Sequence, residues 1–266
     1  MNAGMIPIDG QTPVLSIVIP MRNEAGNAEA LVSEILSLAA DLPPFEVIVT
    51  DDGSTDGTAD IIRRMGGADP RLRLLRHPAS AGQSAAIHSG VLAARGGIIA
   101  TLDGDGQNPP GELPALIAPL LADGAGRVGL VAGQRVGRKD TWSKRIASKV
   151  ANALRSRVLG DGTRDTGCGL KAFRHDAFLR LPYFDHMHRF LPALFKRDGW
   201  DIALVDVAHR PRIAGQSNYT NLQRAAVGVM DLIGVAWLIR RRKKAQVQDL
   251  SEPSGNREEW TTYLHS

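Results

Sequence analysis

Short apolar runs alternate with longer helical segments along this chain, and that alternation limits the possible fold more strongly than any other feature. The runs VLSIVIP, FEVIVTD, RLRLLR, GIIATLD and VGLVAGQR predict strands at 14–20, 45–51, 71–76, 97–103 and 128–135. Segments with helical spacing, such as AEALVSEILSLAADL and GTADIIRRM, lie between them. Repeated succession of strand and helix predicts an α/β fold, a mostly parallel sheet with helices on both faces.

Three polar, glycine-bearing loops follow three of the predicted strands. They read PMRNE after the first strand, DDGSTDGT after the second and DGDGQNPP after the fourth. Because ligands of such sheets bind beyond the carboxyl ends of the strands, we expect the three loops to meet in one cleft. The groups that the loops offer to this cleft are Glu24, the backbone around Pro20, Asp51, Asp52, Ser54, Asp103, Asp105 and Gln107.

This concentration of carboxylates predicts a cation site. A calcium hand needs a glutamate at the twelfth position of its loop. The loop that starts at Asp52 has Arg63 there, and the loop that starts at Asp103 has Pro114, so neither loop is a calcium hand. Mg²⁺ or Mn²⁺ takes one or two carboxylates and completes its shell with water and phosphate oxygens. The pair Asp103 and Asp105, with Gln107 adding a neutral oxygen, suits that arrangement. The alternative for a bare D-x-D sequence is a solvated turn.

Glycines lie beside the acids of the third loop. Gly104 and Gly106 have no side chain, so we expect a ligand to approach the backbone there. No G-x-G-x-x-G follows the first strand and no G-x-x-x-x-G-K-[ST] occurs, so the sequence lacks the usual dinucleotide and P-loop signatures.

Five motifs, in their order and spacing, give the chain a family resemblance. SIVIPMRNE, VIVTDDGSTDGT, TLDGDGQNPP, DTGCGLKAFRH and PRIAGQSNYT resemble family 2 glycosyltransferases of the GT-A fold. Within that family they are similar to the branch of dolichyl-phosphate mannosyltransferase and the bacterial polyprenyl-phosphate glycosyltransferases. The resemblance spans 14–220 and implies a Rossmann-like GT-A sheet. It also implies inverting transfer of a sugar from a nucleotide-diphosphate sugar to a polyprenyl phosphate, with Mg²⁺ or Mn²⁺.

The resemblance also assigns roles to individual residues. Asp105 and Gln107 match the metal ligands, and Asp103 matches the acid that meets the nucleotide. Arg212, in PRIAGQS, matches a basic residue on the donor diphosphate, whereas Asn218 replaces a lysine that is common in the family. The expected donor site comprises Pro20, Arg22, Glu24, Asp51, Asp52, Ser54, Asp103, Gly104 and Arg212. The expected catalytic group comprises Asp103, Asp105, Arg135, Lys144 and Arg212.

A basic segment after the fifth predicted strand is the candidate acceptor site. Arg135 ends the strand, and Lys144, Ser148 and Asn152 follow four residues apart, on one face of a predicted helix. The family pattern implies that Arg135, Lys144 and Ser148 bind the acceptor phosphate. The alternative is an ordinary amphipathic helix with solvated lysines.

The C-terminal part of the chain predicts an interfacial helix. The run AAVGVMDLIGVAWLI, at 225–239, is too short to cross a bilayer and leads directly into the basic run 240–244. Apolar residues beside a basic block favour an anionic membrane surface, with packing on the body or pairing with a second copy as alternatives. We therefore expect an N-terminal extension at 1–13, a catalytic domain at 14–220, this amphipathic helix at 221–244 and a polar tail at 245–266.

The remaining features limit the compartment and the partners. One cysteine among 266 residues excludes an internal disulfide, and the N-terminus shows no secretory signal. We expect a peripheral enzyme at the cytoplasmic face of a bacterial inner membrane. Both association with a membrane protein and assembly into a homo-oligomer are compatible with the sequence. The net charge of the chain is only +4, and its basic residues cluster near the C-terminus beside apolar residues. Nucleic acid is therefore not an expected partner.

The sequence allows more than one hypothesis for the acceptor, the sugar and the roles of individual residues. The acceptor could instead be lipid A, a polysaccharide or a protein, and a catalytically silent adaptor that binds nucleotide sugar is a third hypothesis. His186 and His188 lack the cysteine cluster of a zinc site. A structural role is expected for His188 and Arg189, with a place in the substrate pocket as the alternative. Arg22 and Arg189 would suit an acidic sugar such as a uronic acid. Cys168 is expected to be a buried packing residue.

Overall fold

The computed structural model describes residues 12–136, 155, 157, 159–210 and 221–242, with the backbone alone at 221–227. In these residues one sheet contains seven strands in the order β3-β2-β1-β4-β6-β5-β7. The strands are β1 (Leu15–Met21), β2 (Phe45–Asp51), β3 (Leu72–Arg76), β4 (Ile98–Thr101), β5 (Val128–Arg135), β6 (Lys171–Arg174) and β7 (Asp201–Val207).

Helices connect and cover these strands. They are α1 (Ala25–Ser37), α2 (Thr58–Ala68), α3 (Gln83–Ala93), α4 (Leu113–Ala122), α5 (His175–Leu179), α6 (Leu191–Arg197) and α7 (Asn221–Arg240). Short 3₁₀ helices occur at Leu38–Ala40, Pro110–Glu112 and Met187–Arg189. Of the described helices, none combines the length and apolar character needed to cross a membrane.

All strands except β6 run in the same direction. β1 pairs in parallel with β2 and β4, and β5 pairs in parallel with β7. β6 is antiparallel to both β4 and β5, and Lys171 lies opposite Thr101 on one side and Ala132 on the other. The carboxyl ends of β1, β2, β4 and β5 therefore meet the amino end of β6 at one edge of the sheet.

Two apolar cores cover the two faces of the sheet. Ile17 and Ile19 of β1 belong to the core under α1, α2 and α4, whereas Val18 belongs to the core under α3, α5 and α6. This alternation follows from the two-residue period of a strand, which directs successive side chains to opposite faces. Val235 of α7 is buried in the second core. The mostly parallel sheet with helices on both faces, predicted from the sequence, is confirmed.

The predicted strands agree with the observed ones to within a few residues. β5 has the predicted bounds 128–135, and β1 is shifted by one residue from 14–20. β6 and β7 were not among the predicted strands. β6 has only four residues, at the end of the motif DTGCGLKAFRH, so its pattern is too short to separate from a loop.

Candidate active site

Two loops at the carboxyl edge of the sheet are tied to each other by hydrogen bonds. The backbone N–H of Asn23 donates to the Ser54 hydroxyl at 2.9 Å, and the Thr55 N–H donates to Oδ1 of Asn23 at 2.9 Å. Glu24 N–H donates to the Thr58 hydroxyl at 2.9 Å. Asn23 has a φ of +55°, a left-handed conformation that asparagine tolerates better than most residues. The loops after β1 and β2 therefore form one connected wall of the cleft.

Asp51 shapes the second loop from within. Its side chain is fully buried at the end of β2, and Oδ1 accepts a hydrogen bond from the backbone of Ser54 at 3.1 Å. Oδ2 lies 3.1 Å from Nε of Arg76, the last residue of β3. The carboxylate thus links the ends of two neighbouring strands to the loop that carries Ser54.

Asp52 anchors the loop between β3 and α3. Its carboxylate accepts hydrogen bonds from Nδ1 of His77 (2.8 Å), Oγ of Ser80 (2.7 Å) and the backbone N–H groups of Ala81 (2.8 Å) and Gly82 (2.9 Å). Burial opposes ionisation of Asp52, but these hydrogen bonds outweigh it and lower the pKa of the carboxyl. Asp52 is therefore an ionised anchor that holds 80–82 at the edge of the cleft.

Asp103, the first acid of the D-x-D sequence, lies just after β4. Oδ1 accepts from the amide of Gln83 at 2.8 Å, and Oδ2 accepts from the amide of Asn108 at 3.2 Å. A Cβ added to Gly169 would overlap this carboxylate, so only glycine lets the chain after β5 pass so close. Burial first, and the charge of Asp105 second, raise the pKa of Asp103.

Asp105 and Gln107, the expected metal ligands, occupy the same turn. Asp105 is largely buried, and its Oδ1 accepts the backbone N–H of Gln107 at 3.1 Å. Gly106 between them has a φ of +72° with open space where a side chain would project, so this turn requires glycine for its backbone conformation. Across the described chain, no three side chains of His, Cys, Asp or Glu converge as a metal-binding group. A carboxylate and an amide oxygen still fit Mg²⁺ or Mn²⁺, which take most of their ligands from water and phosphate.

Gly104 has a different neighbourhood from the one expected for ligand access. A Cβ at this position would lie 2.7 Å from Cγ of Met21 and 2.9 Å from the carbonyl oxygen of Pro20. The space beside Gly104 is thus filled by the end of β1, and it is Gly106 that faces open space. Gly104 is required because the D-x-D loop packs directly on the end of β1.

The chain after β7 joins the same turn. The N–H of Arg210 donates to the carbonyl of Gln107 at 2.9 Å, and the Gln107 amide donates to the Arg210 carbonyl at 3.4 Å. Arg210 also forms a two-point pair with Glu34 of α1, at 2.9 Å for each contact. The described part of this segment therefore ends beside the D-x-D turn, two residues before Arg212.

Arg135, at the end of β5, lies close enough to Asp103 for their charges to interact. Its guanidinium is paired with Asp165 at 2.6 and 2.9 Å. Lys171, at the start of β6, is 4% exposed and donates to the carbonyl of Cys168 and, at 3.4 Å, to that of Thr166. Burial lowers the pKa of Lys171, although the nearby acids oppose this effect. Cys168 itself is buried, as expected for a packing residue.

His188 lies against the N-terminal turn of α3. Its Nδ1 accepts a hydrogen bond from the hydroxyl of Ser84 at 2.7 Å. Burial, with the charge of Lys171 nearby, lowers the pKa of His188 to about 3, so the ring is neutral under physiological conditions. This environment agrees with the structural role expected for it.

The structure brings together most of the described residues that the sequence predicts for the donor site. Arg22 is exposed at the tip of the first loop and Glu24 is half-buried beside it. Lys144, Ser148, Asn152, Arg212 and Asn218 lie outside the described residues. Gln83, Asn108, Gly169 and Arg210 contact the D-x-D turn without having been predicted. Asn108 belongs to a recognised motif and could have been included, but Gln83 is twenty positions from Asp103 and nothing local indicates their contact.

This chain is similar to known proteins over most of its length. A family model described as glycosyl transferase family 2 matches residues 16–181. The dodecaprenyl-phosphate galacturonate synthase of Rhizobium johnstonii is 33% identical over 88% of this chain and 70% of that protein. Undecaprenyl-phosphate 4-deoxy-4-formamido-L-arabinose transferases of Aeromonas hydrophila and Shewanella sediminis are 32% and 34% identical, over 84% and 83% of this chain. The alignments span 66% and 64% of those two proteins, so this chain corresponds to about two thirds of such relatives.

Solved structures of glucosyl-3-phosphoglycerate synthase from Mycobacterium tuberculosis share the fold. The complex with Mn²⁺, UDP and glucosyl-3-phosphoglycerate has a TM-score of 0.64 at 22% identity, over 86% of this chain and 80% of that one. The complex with Mg²⁺ and UDP has a TM-score of 0.65 at 23% identity, over 86% of this chain and 79% of that one. At these identities the likeness establishes the shared architecture.

Proposed function

Since this chain belongs to glycosyl transferase family 2, we propose that it transfers a sugar from a nucleotide-diphosphate sugar to a polyprenyl phosphate, with inversion at the sugar carbon. The observation that carries the proposal is the D-x-D turn of Asp103 and Asp105 at the carboxyl edge of a mostly parallel sheet, beside the loops after β1, β2 and β3. The acceptor class is supported by relatives named for dodecaprenyl and undecaprenyl phosphate.

The donor would lie across the loops after β1, β2 and β4. The connected wall of Asn23 and Ser54 gives the nucleotide a rigid surface beside Pro20, Arg22 and Glu24. The buried carboxylates of Asp51 and Asp52 support this surface from within. Asp105 and Gln107 would hold a Mg²⁺ or Mn²⁺ ion, which when bound neutralises charge on the departing diphosphate. Arg212 would add a second positive charge there.

The acceptor would approach from the side of Arg135. An oxygen of the lipid phosphate attacks the anomeric carbon from the face opposite the diphosphate, forming a carbon–oxygen bond as the bond to the nucleoside diphosphate breaks. This phosphate is already anionic near neutral pH, so no strong general base is required. Arg135, with Lys144 and Ser148, would orient it.

Helix α7 supports a peripheral position at the cytoplasmic face of the membrane. Its outer side exposes four apolar residues in successive turns, Val229, Met230, Ile233 and Trp237, followed by Arg240 and Arg241. Its inner side packs Val235 into the core and brings Asp231 to 3.2 Å from His186. An apolar stripe that ends in positive charge fits an anionic lipid surface, with Trp237 at head-group depth.

The first experiment is a donor panel with undecaprenyl phosphate in detergent, with Mn²⁺, with Mg²⁺ and with a chelator. UDP-linked uronic acids head the panel because one relative is named for galacturonate. We expect one donor to give an organic-extractable product that disappears with the chelator and in Asp105→Ala. Transfer only to a water-soluble acceptor would overturn the acceptor assignment, and nucleotide binding without turnover would favour an adaptor. An active Asp105→Ala protein would remove the metal assignment.

A further inference from the structure

The first residue of α3 reaches across the cleft to the D-x-D turn. Gln83 is exposed, yet its Nε2 lies 2.8 Å from Oδ1 of Asp103 and donates a hydrogen bond to it. The side chain therefore connects the loop after β3 with the loop after β4. Because the Gln83 side chain is exposed, packing does not direct it to this carboxylate, and the contact is specified by the hydrogen bond itself.

The position of Gln83 is fixed by the residues that precede it. Asp52 holds the N–H groups of Ala81 and Gly82, and Gly82 has a φ of +92° that turns the chain into α3. Gly53 packs on the same loop, since a Cβ there would lie 2.7 Å from the backbone nitrogen of Ser80. A loop held at this many points presents the Gln83 amide in one place.

The second oxygen of Asp103 has a matching partner. Oδ2 accepts a hydrogen bond from the amide of Asn108 at 3.2 Å, and Asn108 is only 2% exposed. Both oxygens are thus held by neutral amide donors. A neutral amide orients the carboxyl group of Asp103 by a directed hydrogen bond, without adding the full counter-charge that a lysine or arginine at either position would bring.

We infer that Gln83 is a positioning residue for the donor, acting through Asp103. Together with Asn108 it fixes the rotation of the Asp103 carboxylate, so that the remaining lone pairs face the nucleotide sugar. Asp52 in turn supports Gln83 through the loop 80–82. The kinetic test of this inference rests on the proposed function. A crystal structure of a variant without ligand tests the inference independently.

The kinetic test compares Gln83→Met, Asp103→Asn and the double variant in the full chain. Methionine keeps the length of the side chain and loses the hydrogen bond. A hydrogen bond to a charged group typically supports an effect of about tenfold, so we expect Gln83→Met to raise the KM for the donor by about tenfold. The KM for polyprenyl phosphate should not change. The double variant should be no worse than Asp103→Asn, because Gln83 acts through that carboxylate.

A matched control lies on the same helix. Leu92 is 60% exposed near the other end of α3, and Leu92→Ala should leave both KM values unchanged. Additive losses in the double variant, a rise in the acceptor KM, or an unchanged donor KM in Gln83→Met would each overturn the inference.

A crystal structure of Gln83→Met tests the inference without any substrate. We expect the Asp103 side chain to rotate or to occupy two conformers, and an Asp103 that keeps its single position would overturn the inference. If the wild-type chain transfers no sugar from any donor, the proposed function fails, and this structure alone decides the role of Gln83.

Discussion

Arg135 and Asp165 face each other in a two-point ion pair, with Nε and Nη2 of the guanidinium 2.6 and 2.9 Å from the two carboxylate oxygens. Both side chains are about five-sixths buried, with exposed fractions of 16% and 15%. The pair joins the end of β5 to the segment that returns toward β6. A phosphate that binds Arg135 would therefore meet a guanidinium whose direction is already fixed.

Removing the acid of this pair should destabilise the fold. Asp165→Asn leaves a largely buried guanidinium without its counter-charge, and we expect a loss of about 3 kcal/mol in the free energy of unfolding. Urea unfolding of the full chain measures it. The control is Asp201→Asn, because the pair of Asp201 with Arg127 is more than half exposed and should contribute less than about 1 kcal/mol. Equal losses in the two variants would contradict the prediction.

A methyl group at Gly169 should disturb the donor site. In Gly169→Ala the new Cβ overlaps the Asp103 carboxylate, so the carboxylate or the backbone must move. Overpacking of this kind costs about 1–3 kcal/mol, and we expect at least about a tenfold loss in transfer rate. Gly111→Ala is the control, since its Cβ would meet nothing within 4 Å. A fully active Gly169→Ala enzyme would show that the position of Asp103 is not critical.

His188 should make the fold less stable in mild acid. The unfolded chain takes up a proton at this histidine near pH 6.5, whereas the folded chain stays neutral down to the lowered pKa of about 3. Stability is therefore retained above pH 6.5 and lost as the pH falls from 6.5 toward 3. Between pH 8 and pH 5 the wild type should lose about 2 kcal/mol more than His188→Asn, by urea unfolding at each pH. Parallel profiles for the two proteins would refute a buried neutral histidine.

The outer side of α7 should carry membrane affinity. Arg241→Gln removes one exposed positive charge beside the apolar stripe, and a basic residue near an anionic surface is worth about 1 kcal/mol, or about fivefold in binding. Trp237→Ala should weaken binding as well. Sedimentation with phosphatidylglycerol vesicles measures both, with Leu121→Ala as an exposed apolar control on α4. Binding that survives both substitutions, or that is insensitive to salt, would place the lipid contact elsewhere.

The parts of this molecule that the sequence predicts are those with local patterns. β1, β2, β4 and β5 appear as apolar runs, and the polar loops that follow β1, β2 and β4 are read directly because parallel strands end at one edge. The same rule predicts that the D-x-D turn lies at this edge of the sheet, and the structure has it there, directly after β4. β6 could not be predicted, since four residues within a glycine-rich stretch acquire strand structure only by pairing with β4 and β5.

The features of the site that the sequence does not predict depend on contacts between residues far apart in the chain. The partners of Asp52 lie 25 to 30 positions away, so its role as the anchor of 80–82 depends on the folded loop. Gly104 and Gly106 look equivalent in sequence, yet one is required by the packing of Met21 and the other by its own backbone angle. Gln83 and Asn108 meet at Asp103 only because α3 begins beside the end of β4.

The reversed direction of β6 has a consequence for how such proteins diversify. The chain leaves the sheet at Arg135 and returns at Lys171, whose partner in register is Ala132, so the excursion starts and finishes at the same edge. The ion pair of Arg135 and Asp165 fastens its two ends together. A segment whose two ends are fastened in this way can vary in length or sequence between them while the pairing of β5 with β6 is kept.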